Sequence, residues 1–316
     1  MSFKIPILVL CYNRPNKLLK LLKIIKKIKP INIYFSCDGP KDHQADIEKT
    51  EYVKNIIENF YSNKNYKKNC NFNKLNLGCK KSVQKGLDFF FKHEEMGIIL
   101  EDDCIPNLSF FKYCEFLLKK YKHDKKVFAI SGFNMTKNRK FGDGDYFLSK
   151  YFLCWGWASW RRSWINSDKN LSFFPKWKKN NFLYKFHDDF LEAKYWDKIL
   201  FKTYKKKIDT WDYHFLASMW AKNSFCILPN YNFIKNIGFD ASGTHTRTKF
   251  SSQNIKVNQL NKDIKIPSKL LHYKESEEIL KNELFKIKYF FYPNRLKYIV
   301  KLLISKIYEK SKNISL

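Results

Sequence analysis

Short apolar runs alternate with stretches of helical period between residues 5 and 131 of this 316-residue chain. That alternation limits its fold more than any other feature. Residues 5–11 form a continuous apolar run, as a strand buried on both faces requires. Pro15 then suits the first turn of a helix, and Leu18, Leu19, Leu21, Leu22, Ile25 and Ile28 recur at helical spacing. Lys17, Lys20, Lys23, Lys26, Lys27 and Lys29 fill the other face. The same reading predicts strands over 31–37, 97–100 and 127–131. It predicts helices over 47–60, from Gly78 to about residue 91, and over 110–121. Strand–helix–strand order of this kind implies a mainly parallel sheet with helices on both faces.

In such sheets ligands bind outside the carboxyl ends of the strands. The polar residues at those ends are Asn13 and Arg14 after the first strand, Asp38 after the second, and Glu101-Asp102-Asp103 after the strand at 97–100. Three consecutive carboxylates behind a buried strand repel one another. Two explanations fit: a solvated turn leading into a helix N-terminus, or a hard divalent cation such as Mg²⁺ or Mn²⁺. Arg14, at a strand–helix junction, is placed for a diphosphate or a base. Asp38 either holds the turn Asp38-Gly39-Pro40 or reads a ligand. Asp212 precedes an apolar helical stretch and is either its cap or a general base, with Asp209 as the nearby competitor.

Charge and cysteine usage narrow the class. Lys and Arg number 60 against 30 Asp and Glu, a formal charge of +30, so the surface should attract polyanions. Nucleic acid is the obvious candidate, but no zinc-finger, RRM or KH pattern occurs, and acids at strand ends would repel phosphates unless a cation intervened. The eight cysteines form no C-x-x-C pair and no Cys/His cluster, so they read as scattered small hydrophobes in a reducing cytoplasm. No stretch approaches the roughly 18 apolar residues that would span a bilayer.

The acidic triplet in Leu100-Glu101-Asp102-Asp103-Cys104-Ile105-Pro106, with Phe110-Phe111 and Ile130-Ser131-Gly132-Phe133-Asn134, resembles the GT-A glycosyltransferases. The nearest likenesses are the bacterial family-2-like enzymes and N-acetylglucosaminyltransferase I. The resemblance continues through the opening strand and turn at 6–15, Ser36-Cys37-Asp38-Gly39, Asn76-Leu77-Gly78-Cys79-Lys80-Lys81, Trp155-Gly156-Trp157, Thr210-Trp211-Asp212-Tyr213 and Thr244-His245-Thr246. It spans roughly residues 5–246.

What the resemblance implies is a GT-A (Rossmann-like) α/β fold: a mainly parallel mixed sheet flanked by helices, with a basic helical C-terminal extension. A domain over 1–246 would divide into a nucleotide-binding half to about 135 and an acceptor half over 136–246, followed by the extension over 247–316. By the same resemblance Asp103 ligates Mn²⁺ or Mg²⁺, and His245 could join it or close over the phosphates. Arg14, Asp38, Gly78, Lys81, Glu101, Asp102 and Trp157 would contact a nucleotide-sugar donor, a UDP-sugar being favoured by Asp38. Asp212 would be the catalytic base of an inverting transfer to a hydroxyl of a glycan or lipid-linked saccharide, as in surface polysaccharide or lipooligosaccharide synthesis. A sugar nucleotidyltransferase is the related alternative, but residues 11–15 lack the glycines its phosphate loop usually carries.

The segment 283–312 intersperses Lys286, Lys288, Arg295, Lys297, Lys301, Lys306, Lys310 and Lys312 with apolar residues, and Pro293 interrupts it. It reads either as an element on an anionic membrane surface or as a terminal hairpin packed on the core. The expected location is cytoplasmic, peripheral at the inner face of the membrane.

Overall fold

The structure is a computed structural model and describes residues 2–62, 69–136, 139–238, 255–260, 263–291, 293–294, 296 and 300. Its first half runs β1 (Ile7–Cys11), α1 (Pro15–Ile28), β2 (Ile33–Cys37), α2 (Gln44–Ser62), β3 (Cys70–Phe72), α3 (Gly78–His93), β4 (Met96–Glu101), β5 (Cys104–Pro106), α4 (Leu108–Lys120) and β6 (Val127–Ser131). There follow β7 (Tyr146–Ser149), β8 (Trp157–Trp160), the short helices α5 (Arg161–Ile165), α6 (Phe174–Lys179) and α7 (Phe182–Phe186), then α8 (Phe190–Tyr204), α9 (Asp212–Ala221), β9 (Phe225–Pro229), β10 (Ile234–Asn236) and α10 (Lys274–Glu283).

The fold is α/β. Eight strands form one mixed sheet in the order β3-β2-β1-β4-β8-β6-β9-β7, and β10 pairs with β5 in a separate ribbon. β1 lies parallel to both β2 and β4, with Cys11 opposite Cys37 and Leu10 opposite Glu101. These strands are buried along nearly their whole length because helices cover both faces, so they read as unbroken apolar runs. β8 runs antiparallel between β4 and β6, with Ala158 opposite both Ile98 and Ile130. The sheet is therefore less uniformly parallel than the strand–helix alternation predicts.

α1 behaves as its sequence requires. Leu18, Leu21, Leu22 and Ile25 are buried, and the helix ends at Lys29 in a left-handed conformation just before Pro30. The predicted strand at 31–37 starts only at Ile33, because Ile31 is exposed beyond the proline.

The C-terminal extension folds back over its described residues. Asp145 N–H donates to the Lys265 carbonyl, and its carboxylate accepts from Lys265 N–H at 2.8 Å. The Lys150 ammonium lies 2.9 Å from Glu192 on α8 and 3.2 Å from Glu277 on α10. Burial opposes the charge of Glu192, yet His187, Lys150 and the Tyr151 hydroxyl hold its carboxyl down at about 2. Leu280 is fully buried, and the Phe285 ring packs on Trp196 and Tyr151. Of the two readings of the tail, packing on the core holds as far as Phe291, while 292, 295, 297–299 and 301–312 lie outside the described residues. Leu280→Ala should therefore lower global stability by about 2–5 kcal/mol, measured by urea unfolding. A change near zero would mean that α10 is only loosely attached.

Candidate functional site

The site forms where the strand order reverses. From β1 the chain passes to β2 and β3 on one side, then returns to β4 on the other, which leaves a crevice at the carboxyl ends of β1 and β4. Residues 12–14 and 101–103 meet there. The Tyr12 hydroxyl and Asn13 side-chain amide both donate to buried Asp46 on α2, which also accepts from Lys41 N–H at 2.6 Å. This anchor fixes the turn before Pro15, and Arg14 reaches across the crevice. Its guanidinium donates to Asp103 Oδ2 at 2.6 Å and pairs with Asp102 Oδ1.

The carboxylates here outnumber the cations. Asp102 is fully buried and Asp103 nearly so. Burial is the largest influence on Arg14 and opposes its charge, but Asp102, Asp103 and Glu101 outweigh it and hold the guanidinium firmly protonated. Burial and then Asp103 push the Glu101 carboxyl up to about 8, with Asp102 and Asp212 adding to the rise while Arg14 offsets part of it. Asp102 is likewise raised, chiefly by burial and against the pull of Arg14. One arginine thus does not neutralise the cluster.

Gly238 closes it from the far side. A Cβ at that position would lie 2.2 Å from Asp103 Oδ2, so only glycine leaves the carboxylate where Arg14 can hold it. Gly238→Ala should cost about 1–3 kcal/mol through this overpacking, read from urea denaturation. Unchanged stability would mean that Asp103 has room to swing aside.

Asp38 is placed differently from the role the resemblance implies. It is buried, and its carboxylate accepts from Gly39 N–H, Asn73 Nδ2 and Leu77 N–H at 3.0–3.2 Å and from Gly78 N–H at 3.1 Å. These donors engage both oxygens, so the expectation that Asp38 reads a base is corrected: it ties the turn before α3 to the end of β2. Gly78 turns with φ +77°, a left-handed conformation that suits glycine, and opens α3. Lys81 is solvent-exposed on α3.

Its neighbour Lys80 is the lysine the sequence reading missed. Lys80 Nζ lies 2.9 Å from Nε2 of buried His214 on α9, joining the starts of the two helices. Burial and then the Lys80 charge push the His214 imidazole down to about 4, so it is neutral and can accept from the ammonium. Asp212 opens α9, and Thr210 Oγ1 donates to its carboxylate. Its charge reaches the cluster: burial first, then Glu101, Asp212 and Asp209, push the Cys79 thiol up. Asp209 sits at the mouth, its Oδ2 3.2 Å from where a Gly78 Cβ would be.

Trp157 is also corrected. It has no exposed surface on which a sugar could stack. Its ring lies against Trp211 at 5.4 Å, nearly parallel, and packs on Phe152 and Phe215. Trp157 is a core platform against Trp211, the residue that precedes Asp212, while Trp155 is only half-buried. His245 lies outside the described residues.

Among the described residues no three His, Cys, Asp or Glu side chains are grouped to hold a metal ion by themselves. The donor set nonetheless fits Mg²⁺ or Mn²⁺ bound in its usual way, through one or two carboxylates with the remaining positions taken by water and phosphate oxygens. Asp103 offers a hard oxygen, and Arg14 pairs with two of the three acids while no second cation pairs with them among the described residues. No family model matches the chain, and no curated protein matches it either. Among the described residues no helix is long and apolar enough to cross a membrane.

Proposed function

We propose that the chain is a GT-A-type glycosyltransferase that moves a hexosyl or N-acetylhexosaminyl group from a nucleotide-sugar donor to a hydroxyl of a glycan or lipid-linked saccharide. The observation that carries the reading is the cluster of Glu101, Asp102 and Asp103 at the reversal of strand order, short of positive charge and reached from across the crevice by Arg14. Anionic side chains at a ligand crevice suit a phosphate-bearing ligand only if cations accompany it.

On this reading Asp103 would hold Mn²⁺ or Mg²⁺, which would supply the charge that balances a departing nucleoside diphosphate. Arg14 keeps Asp102 and Asp103 fixed and adds a permanent positive charge facing the diphosphate. Asp212 takes the proton of the acceptor hydroxyl as its oxygen bonds to the anomeric carbon and the bond to the diphosphate breaks. Lys80 and His214 hold the start of α9, and with it Asp212, against α3. A base on a different element from the metal-binding acid suits an in-line displacement with inversion.

Melting the protein with UDP or GDP and Mn²⁺, and separately with single-stranded DNA, tests the class. The reading expects the nucleotides to raise the melting temperature only with the metal. A rise with DNA at moderate salt, and none with either nucleotide, would favour the nucleic-acid alternative that the net charge suggests.

A further inference from the structure

Beside the acid cluster, on the outer side of α1, lies a groove of about 690 Å³ that the proposed chemistry does not use. Lys20, Lys23 and Lys27 of α1 and Lys235 of β10 line it, all solvent-exposed, with half-buried Ile24, Ile105 and Ile237 between them. No acidic and no aromatic side chain lines the groove, and α1 contains no Asp or Glu. None of these four lysines has an ion-pair partner among the described residues. Lys26, also on the groove, leans toward the Phe60 ring at 5.7 Å. Lysines elsewhere do find partners, as Lys119 does with Glu115 and Lys281 with Asp189.

We propose that this groove seats the phosphate headgroups of an anionic lipid bilayer. Charge complementarity selects an anion, and the spread of the lysines over α1 and β10 suits a surface that presents many phosphates at once. The half-buried isoleucines give the lysine stems an apolar bed along which they can extend their ammonium groups toward the headgroups. A single-stranded nucleic acid would want aromatic faces for its bases, and the groove lining has none.

The placement has a consequence for the site. Ile105 follows Asp103 by two residues, Ile237 N–H donates to the Asp103 carbonyl at 2.9 Å, and α1 begins immediately after Arg14. A bilayer on this face therefore lies next to the carboxylate cluster. None of the groove residues belongs to the basic segment 283–312, and the inference stands on the groove, not on the catalytic reading of the acids.

Co-sedimentation of the full chain with vesicles tests it, using phosphatidylcholine alone and phosphatidylcholine mixed with phosphatidylglycerol at low ionic strength. The wild-type chain should partition onto the anionic vesicles only. The variant Lys20→Glu/Lys23→Glu/Lys27→Glu/Lys235→Glu should lose about 10³-fold or more in partition coefficient, with the corresponding Lys→Gln set intermediate. A charge-matched control, Lys176→Glu/Lys179→Glu/Lys185→Glu/Lys222→Glu, changes four exposed lysines of other elements and should keep most of the binding. All eight side chains are exposed, so circular dichroism and melting should report an unchanged fold. Equal binding by groove and control variants overturns the proposal, as does a wild-type chain that ignores anionic vesicles. Groove-dependent binding of inorganic polyphosphate or single-stranded DNA without vesicle binding would likewise overturn it, assigning the groove to a soluble polyanion.

Discussion

Asp212→Asn should leave nucleotide binding intact and lower sugar transfer by about 10²-fold or more. Asn keeps the size of the side chain and can still meet the Thr210 hydroxyl through its amide oxygen, so α9 should start as before. What is lost is a group able to take the acceptor's proton. The measurement pairs calorimetric UDP affinity in Mn²⁺ with the rate of transfer or of slow donor hydrolysis. Affinity preserved with the rate lost is the outcome the proposed base requires. Near-normal turnover would transfer the role elsewhere, first to Asp209 at the mouth of the same site.

The second large effect concerns the arginine that spans the crevice. Removing one partner of a buried ion pair leaves the other charge stranded and typically costs about 3–5 kcal/mol. Arg14 serves two carboxylates, one of them fully buried. Arg14→Met should therefore lower the melting temperature by roughly 5–8 °C. Adding Asp102→Asn, which removes the stranded charge, should recover much of that loss. A single variant as stable as the wild type would mean that the acid pair is held by other groups. A double variant no better than the single would place the cost in packing.

Much of the sheet was legible because buried parallel strands leave a strong mark. The runs that became β1, β2, β4 and β6 are apolar on both faces, and the lysine-rich helix between the first two shows its period plainly. The short strands were not. β8 consists of four residues, two of them tryptophan, and the pairing that makes it a strand comes from β4 and β6, far away in sequence. The resemblance implied a donor contact for its Trp157, whereas antiparallel pairing in mid-sheet buries it.

The site was legible at strand ends and illegible in its pairings. Sequence pointed to Arg14 and the acidic triplet separately, but their ion pairs depend on β1 and β4 being neighbours. Asp38 was found for the right position and given a different task, since four convergent donors, from Gly39, Asn73, Leu77 and Gly78, cannot be read from spacing. Lys80 and Lys81 are indistinguishable as letters. Only the helix phase turns the first toward His214 and leaves the second in solvent.

The claim that the acid cluster handles a nucleotide sugar is tested most directly by donor hydrolysis. The purified chain would be incubated with a panel of UDP-, GDP- and CMP-sugars, with Mn²⁺ and with chelator, and free nucleotide measured. The account predicts slow release of nucleotide from one donor class, dependent on the divalent cation and lost in Asp103→Ala. No release from any donor with Mn²⁺ present, together with no metal-dependent nucleotide binding, would contradict it.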